Sequence, residues 1–319
     1  MRYGFEYVSF TIMAFFAVTM RYLRRRHDAV YVLGVPNFLV FAAAVPRMLG
    51  ARVFLDMRDP FPEFFEAKYS LEPRHPLVRA LILEEKLSAR FASQVVTVHD
   101  SMADLYTRTG IHREKIAVVM NAPDPRLFDT KPMHSHEPTD RTMLYTGTVA
   151  RWYGVELAVA AVARLRDQIP GLRLRIVGDG QLVPALREMV IVEGIGDRVL
   201  FDDPVPLDQI PDIVAVAWVG IQPNRADPLM RYSLSTKVLE WCLLGLPVIC
   251  GETEPLLEVF KDGEVMFHKA GDLDGLCARL MEAHSSSDAL VARAARAKIA
   301  SQRFSYAEEV AKLLELMDG

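Results

Sequence analysis

The sequence predicts a parallel α/β protein built as two halves facing a cleft, and three observations predict it. Short apolar runs alternate with longer helical patterns through almost all of the 319 residues, the rhythm of strands joined by crossover helices. Between Phe128 and Arg141 the chain turns polar, gathers prolines and histidines and loses its periodicity, which divides it into residues 1–130 and 142–319. The ends of predicted strands carry glycine-rich or charged loops, and ligands of such sheets bind at the carboxyl ends of strands.

In the first half, Ala29–Leu33 reads as a strand, Phe38–Leu49 as a helix closed by Gly50, and Arg52–Asp56 as the next strand. A long helix around Leu77–Ala92 follows, then a strand at Gln94–Val98, a helix at Ser101–Thr109 and a strand at Lys115–Val119. Pro123 and Pro125 make Asn121–Pro125 a turn. The second half restarts with a strand at Met143–Thr146 and a helix over Val155–Gln168. Strand Leu172–Val177 ends at Gly178-Asp179-Gly180, and a helix at Val183–Val192, a strand at Val199–Phe201, a short helix at Asp208–Val216 and a strand at Trp218–Ile221 come next. A helix starting near Thr236 and closed by Gly245 leads into strand Val248–Cys250, helix Glu254–Phe260 and two closing helices. Each half is then Rossmann-like.

A net charge of −4 lacks the basic excess that neutralising nucleic-acid phosphates requires, so no nucleic-acid partner is expected. Cys242, Cys250 and Cys277 have no metal-ligand spacing and read as small core residues of a protein in a reducing compartment. The histidines, His134 and His136 included, form no ligand cluster, and no metal is expected. Tyr7–Met20 is an apolar run preceded by Glu6 and followed by Arg21, Arg24, Arg25 and Arg26. It is shorter than the roughly 20 residues that span a bilayer, and its charge order is wrong for a signal peptide. It reads as an internal helix of the first half, or as an interfacial helix on an anionic membrane. The protein is expected in the cytoplasm, peripheral at the inner face of the membrane in the second case.

Ser235-Thr236-Lys237-Val238-Leu239-Glu240 carries the most chemistry. Ser235 or Thr236 can cap the helix, and Lys237 adds a full charge where unpaired N–H groups and the positive end of the dipole favour a phosphate. Glu240, three residues on, can accept hydrogen bonds from both hydroxyls of a ribose; the alternative is a solvated Lys237/Glu240 pair. The loop Gly147 to Gly154 offers close backbone approach at Gly147, a hydroxyl at Thr148 and a fork of donors at Arg151, or else is an ordinary strand-to-helix turn. Gly178-Asp179-Gly180 permits a tight turn beside a ligand, or is only a turn. No G-x-G-x-x-G opens a helix, which argues against a dinucleotide. Asp56 to Glu63, with Arg58, Asp59, Pro60 and Pro62, reads as a rigid charged loop that holds an acceptor hydroxyl, or as a structural ion cluster. Glu85 reads as a surface residue.

In this order the pieces resemble the retaining glycosyltransferases of family four, which have the GT-B fold, over nearly the whole chain. The second half is similar to the donor-binding domain through Gly147 to Gly154, Val177 to Gly180, Phe201 with Val205, Lys237 to Trp241 and Gly245 to Val248; the first half is similar to the acceptor domain through Asp59 to Glu63, Val96 to Val98 and Asn121 to Asp124 with Phe128. The resemblance implies metal-independent transfer of a sugar, with retention, from a nucleoside diphosphate sugar to a glycan or lipid-linked acceptor, with no cofactor besides that donor. It implies that Arg151 and Lys237 stabilise the leaving diphosphate and that Arg58 stands on the acceptor side. Gly147, Thr148, Gly178, Asp179, Gly180, Ser235, Thr236 and Leu239 would hold the donor, Val205 would lie near the base and Glu240 at the ribose. Four positions depart from the family pattern: Tyr232 in place of a glutamate, Tyr153 in place of a lysine, Arg58 in place of a histidine, and Asp203 in place of a glycine. The family's opening strand and glycine-rich loop have no counterpart, so the first half is expected to be incomplete. The other expectation is therefore a non-catalytic nucleotide-sugar-binding protein. A Rossmann epimerase would need Tyr-x-x-x-Lys, and Tyr232 stands five residues before Lys237.

Overall fold

The computed structural model describes residues 2–34, 36–128 and 141–318. Most of the polar stretch predicted as the domain boundary, with His134 and His136, lies outside them. The chain forms two compact units, Met1–Asn121 with Glu309–Gly319, and Ala122–Glu308.

The first unit runs α1 (Arg2–Arg24), β1 (Ala29–Leu33), a 3-10 stretch (Asn37–Ala43) leading into α2 (Ala44–Met48), β2 (Arg52–Asp56), α3 (Phe61–Tyr69), α4 (Pro76–Phe91), β3 (Gln94–Thr97), α5 (Asp100–Thr109) and β4 (Ile116–Val118). Its strands form one parallel sheet in the order β1-β2-β3-β4. Val53, Phe54 and Leu55 are fully buried although neighbours on a strand face opposite ways, so both faces of β2 are covered and its sequence is a continuous apolar run. Helix α1 packs one side on the 3-10 stretch and buries Tyr22, whereas Phe10, Ile12, Met13, Phe16 and Met20 are exposed. The internal-helix expectation thus describes one side of α1. Among the described residues no helix is long and apolar enough to cross a membrane.

The second unit runs α6 (Pro125–Phe128), β5 (Arg141–Thr146), a 3-10 turn (Arg151–Tyr153), α7 (Val155–Leu165), β6 (Leu172–Val177), α8 (Val183–Val192), β7 (Val199–Asp202), α9 (Ile210–Val214), β8 (Val219–Gln222), α10 (Pro228–Arg231), α11 (Thr236–Leu243), β9 (Val248–Gly251), α12 (Glu254–Val259), β10 (Met266–His268), α13 (Leu273–Ser285), α14 (Ser287–Ser301) and the start of α15 (Tyr306–Asp318). Its parallel sheet has the order β10-β9-β8-β5-β6-β7. From β5 the chain builds outward through β6 and β7, then crosses back to β8 and builds the other way. That reversal beside β5 opens a crevice at the carboxyl ends of the strands. Met143, Tyr145, Val159, Leu174, Ile176 and Val219 form the centre of its core.

Several elements differ from expectation: Phe38–Leu49, expected as one helix, is 3-10 over Asn37–Ala43 before α2, and the short α10 was not foreseen. Pro60 and Pro62 suggested a loop, yet Pro62 sits in the first turn of α3, where a missing N–H costs nothing, and Phe61, Phe64 and Phe65 supply helical spacing. Strand β10 has three residues, too few for a periodicity. Three helices rather than two close the chain, because Ser286 leaves helical geometry and its Oγ accepts from the Ala289 N–H to start α14. The three cysteines are buried and free, as expected of core residues.

Candidate functional site

At the end of β5 the chain turns through Gly147 and runs beside the turn that follows β6. The Gly147 N–H donates to Val177 O at 2.9 Å and the Val149 N–H to Asp179 O at 2.9 Å, so the two loops pack backbone on backbone. A Cβ on Gly178 would stand 2.0 Å from the Gly147 oxygen, and one on Gly180 would stand 2.2 Å from the Val149 oxygen. These two glycines are required by the neighbouring loop, which is a different reason from the ligand contact read in the sequence.

Helix α11 points its N-terminus into the same crevice. Ser235 is its N-cap residue but makes no side-chain cap; its hydroxyl is buried and unpartnered. From the first turn Lys237 reaches back over β5, its Nζ 4.3 Å from the centroid of the Tyr145 ring and 4.8 Å from that of Tyr153. It forms no ion pair with Glu240, so the solvated-pair alternative is not what the helix displays. Burial lowers the Lys237 ammonium to about 7, with Glu240 opposing, while burial raises the Glu240 carboxyl and Lys237 opposes that shift.

These groups surround a cavity of about 490 Å³. Of the predicted residues, Gly147, Thr148, Gly178, Asp179, Val205, Thr236, Lys237 and Glu240 line it. Gly180 backs it through the loop packing, Leu239 is fully buried on the core side of α11, and Arg151 is exposed on the 3-10 turn and does not line the wall. Sequence reasoning missed the wall formed by Thr146, Pro204, Leu207 and Ile210, and the part played by Tyr145 and Tyr153. It also missed a buried network behind the loops. The Gln222 amide donates to Asn224 Oδ1 at 2.6 Å, the Asn224 amide to Gly251 O at 3.1 Å, and the Asn224 N–H to Tyr153 O at 3.0 Å. Asn224 holds φ at 47°, a conformation asparagine tolerates better than most residues. Two amides alternating at the end of a buried strand were the available signal.

In the first unit, Asp56 is 1% exposed at the end of β2. Its Oδ2 accepts from Tyr31 Oη at 2.7 Å and from Arg58 Nε at 2.8 Å and Nη2 at 2.7 Å, while Arg58 Nη1 donates to Asn121 Oδ1 at 2.7 Å. Asp56 holds the Arg58 guanidinium above its ordinary range, and burial with Asp56 does the same to the Tyr31 phenol. Burial raises the carboxyls of Asp59 and Glu63. Glu85, expected on the surface, is 1% exposed, and burial pushes its carboxyl up to about 8. It faces inward because α4 packs its polar turn, with Glu85, against Thr109.

Residues 140–286 match the family described as glycosyl transferases group 1, and residues 4–122 match the glycosyl transferase 4-like domain. The HepE protein of Anabaena, solved with UDP, superposes with a TM-score of 0.76 over 96% of this chain and 81% of that one, at 19% identity. Both family models are of glycosyl transferases, and the fold is the GT-B fold. The chain is 28% identical over 185 residues to 2-deoxystreptamine glucosyltransferase of Streptomyces kanamyceticus, covering 55% of the chain and 46% of that protein. It is 27% identical over 275 residues to 2-deoxystreptamine N-acetyl-D-glucosaminyltransferase of Streptomyces fradiae, covering 78% and 64%. It thus spans from about half to under two thirds of the length of these curated relatives.

Proposed function

We propose that the protein transfers a sugar from a nucleoside diphosphate sugar to a glycan or lipid-linked acceptor, with retention and without a metal ion. The observation that carries this reading is the cavity at the switch point of the second sheet, where an ammonium with no ion-pair partner among the described residues meets a helix N-terminus. A diphosphate is the ligand such a pairing favours. Lys237 would stabilise charge on the leaving diphosphate as a pre-placed donor, and Arg151, two residues before the cavity-lining Tyr153, would be the second cation. Glu240 would accept from the ribose, and the backbone at Val205 would face the base. In the retaining course we propose, the departing phosphate takes the acceptor proton and no protein nucleophile is needed. Arg58 would present its remaining N–H groups to an acceptor hydroxyl, with Asp56 and Asn121 fixing the rest of its fork. The names of the relatives, all sugar transferases, support the reaction class.

For the acceptor side we propose contact with an anionic membrane surface at its cytoplasmic face. Exposed Phe10, Ile12, Met13, Phe16 and Met20 would enter the interface, and Arg21 and Arg24 would meet the headgroups. Flotation with anionic vesicles tests this, and equal flotation with neutral vesicles refutes the electrostatic part.

The reaction is tested by incubating the chain with UDP-, GDP-, ADP- and dTDP-sugars and reading both thermal shift and release of nucleoside diphosphate. A shift with release supports transfer. A shift without release identifies a nucleotide-sugar-binding protein, and no shift with any donor overturns both readings.

A further inference from the structure

Among the described residues that line the cavity Lys237 is the one cation, and what surrounds it is unusual for a lysine withdrawn from water. Among the described residues its Nζ has no hydrogen-bond or ion-pair partner; it lies over the rings of Tyr145 and Tyr153 instead. Tyr145 is fully buried, and its hydroxyl donates to Thr148 O at 2.6 Å, which fixes the ring to the loop it supports. Tyr153 comes from the 3-10 turn, and its carbonyl accepts from the Asn224 N–H at 3.0 Å. Gly147 completes the seat: a Cβ there would stand 3.3 Å from Nζ, and glycine leaves that approach open.

We propose that Tyr145 and Tyr153 are the positioning residues of the phosphate-binding lysine, two ring faces that take the place of a carboxylate partner. The proposal rests on the diphosphate reading of the cavity. The physical case is a choice between two ways of holding a desolvated ammonium. A carboxylate in contact would cancel its charge and repel an incoming diphosphate, which would then have to displace it. A ring face attracts the cation through its quadrupole but carries no net charge, so the field of the ammonium toward the cavity persists. The charged and titratable groups facing Lys237 are consistent with this division: Glu240 on its own helix, Asp179 on the loop after β6, and the two phenols. Neither carboxylate closes on the ammonium. Tyr153 stands where the family resemblance leads one to expect a second basic residue, so the ring adds no positive charge of its own and acts through Lys237.

The test uses the full chain, inorganic pyrophosphate as probe, and calorimetric Kd values from about pH 6 to about pH 9 for wild type, Tyr153→Phe, Tyr153→Leu, Lys237→Met and Lys237→Met/Tyr153→Leu. The expected result is that Tyr153→Phe binds within about twofold of wild type while Tyr153→Leu binds about tenfold more weakly, with the pH midpoint of binding displaced downward because the ammonium has lost a stabilising face. In the Lys237→Met background, Tyr153→Leu should change the affinity by less than about twofold, as expected if the ring acts only through the lysine. A structural role for Tyr153 would weaken binding equally at every pH, and in both backgrounds, and would overturn the proposal. Wild-type affinity in Tyr153→Leu together with loss in Lys237→Met overturns the proposal and leaves the diphosphate reading standing. Wild-type affinity in Lys237→Met overturns both. Should Tyr153→Leu fail to fold, Tyr153→Met, which keeps an apolar side chain of similar length without a ring face, takes its place with the same expected and overturning results.

Discussion

The two units end comparable strands in opposite electrostatic ways. At the end of β2 a cation and a buried anion are locked together: Arg58 lies on Asp56 and Asn121, with carboxyls of Asp59, Glu63 and Glu85 desolvated behind it. At the end of β5 a cation more deeply withdrawn from water meets aromatic faces and, among the described residues, no carboxylate in contact. The end of a strand in the same kind of sheet thus carries a neutralised pair in one unit and, in the other, an ammonium facing a cavity. What decides the difference is the residue that closes the strand, the Asp56 carboxylate at the end of β2 and the Gly147 turn after the end of β5.

The contrast breaks most visibly at Lys237. Lys237→Met should weaken nucleoside diphosphate binding by at least about a hundredfold, since it removes the cation at a site prepared for charge. The fold should survive, because the substitution also removes a costly desolvated ammonium. Loss of the nucleotide-induced thermal shift with an unchanged or raised melting temperature is the expected observation.

Glu85 sharpens the other side. Its folded value of about 8 stands above the ordinary 4.5, so between those values the native state keeps a proton that the unfolded chain has lost. The stabilisation is fully present below 4.5 and is lost as pH rises through about 8. Glu85→Gln should therefore flatten the pH dependence in that window and stabilise the first unit at about pH 8 by roughly 2 kcal/mol. All three tryptophans, Trp152, Trp218 and Trp241, lie in the second unit, so urea unfolding followed by circular dichroism and by tryptophan fluorescence separates the two units. A fluorescence transition that moves with Glu85→Gln would refute the assignment.

Arg58→Met is expected to act more weakly. It leaves Asp56 buried with only Tyr31 as partner, but the Arg58 side chain is 44% exposed and water screens part of the pair, so a loss of roughly 1 to 2 kcal/mol is expected. Pyrophosphate affinity in the second unit should not change, and a change there would mean that the two strand ends are coupled.

How far these two sites were legible in the sequence follows the same contrast. Helix α11 was readable because its signals are local: a cap residue, a lysine in the first turn, a glycine stop at Gly245. Strands such as Arg52–Asp56 were readable as continuous apolar runs with the boundaries the structure gives. The seat of Lys237 was not, because it joins Tyr145, Tyr153 and Lys237 from three elements, and no spacing rule links them. Glu85 was misread because its helix has the charge density of a solvent face, and only tertiary packing turns that one carboxylate inward. Gly178 and Gly180 were found for an incomplete reason: a turn glycine is visible in sequence, but the loop that presses against it is not.

The smallest effect tests the anion seat without any substitution. With burial holding the Lys237 ammonium near 7 in the empty site, a bound diphosphate restores the charged form, and binding takes up a proton wherever the empty site has lost one. The sign is fixed: affinity falls as pH rises through about 7. Between about pH 6.5 and about pH 7.5 the dissociation constant should rise by about threefold, on top of the contribution from the phosphate's own ionisation, which is the same for any protein and is measured in the Lys237→Met variant. Calorimetry in buffers of differing ionisation enthalpy reads the proton directly. Uptake that persists undiminished in Lys237→Met would assign it to the ligand, and the ammonium would then be charged throughout, held by its two rings more firmly than desolvation opposes it.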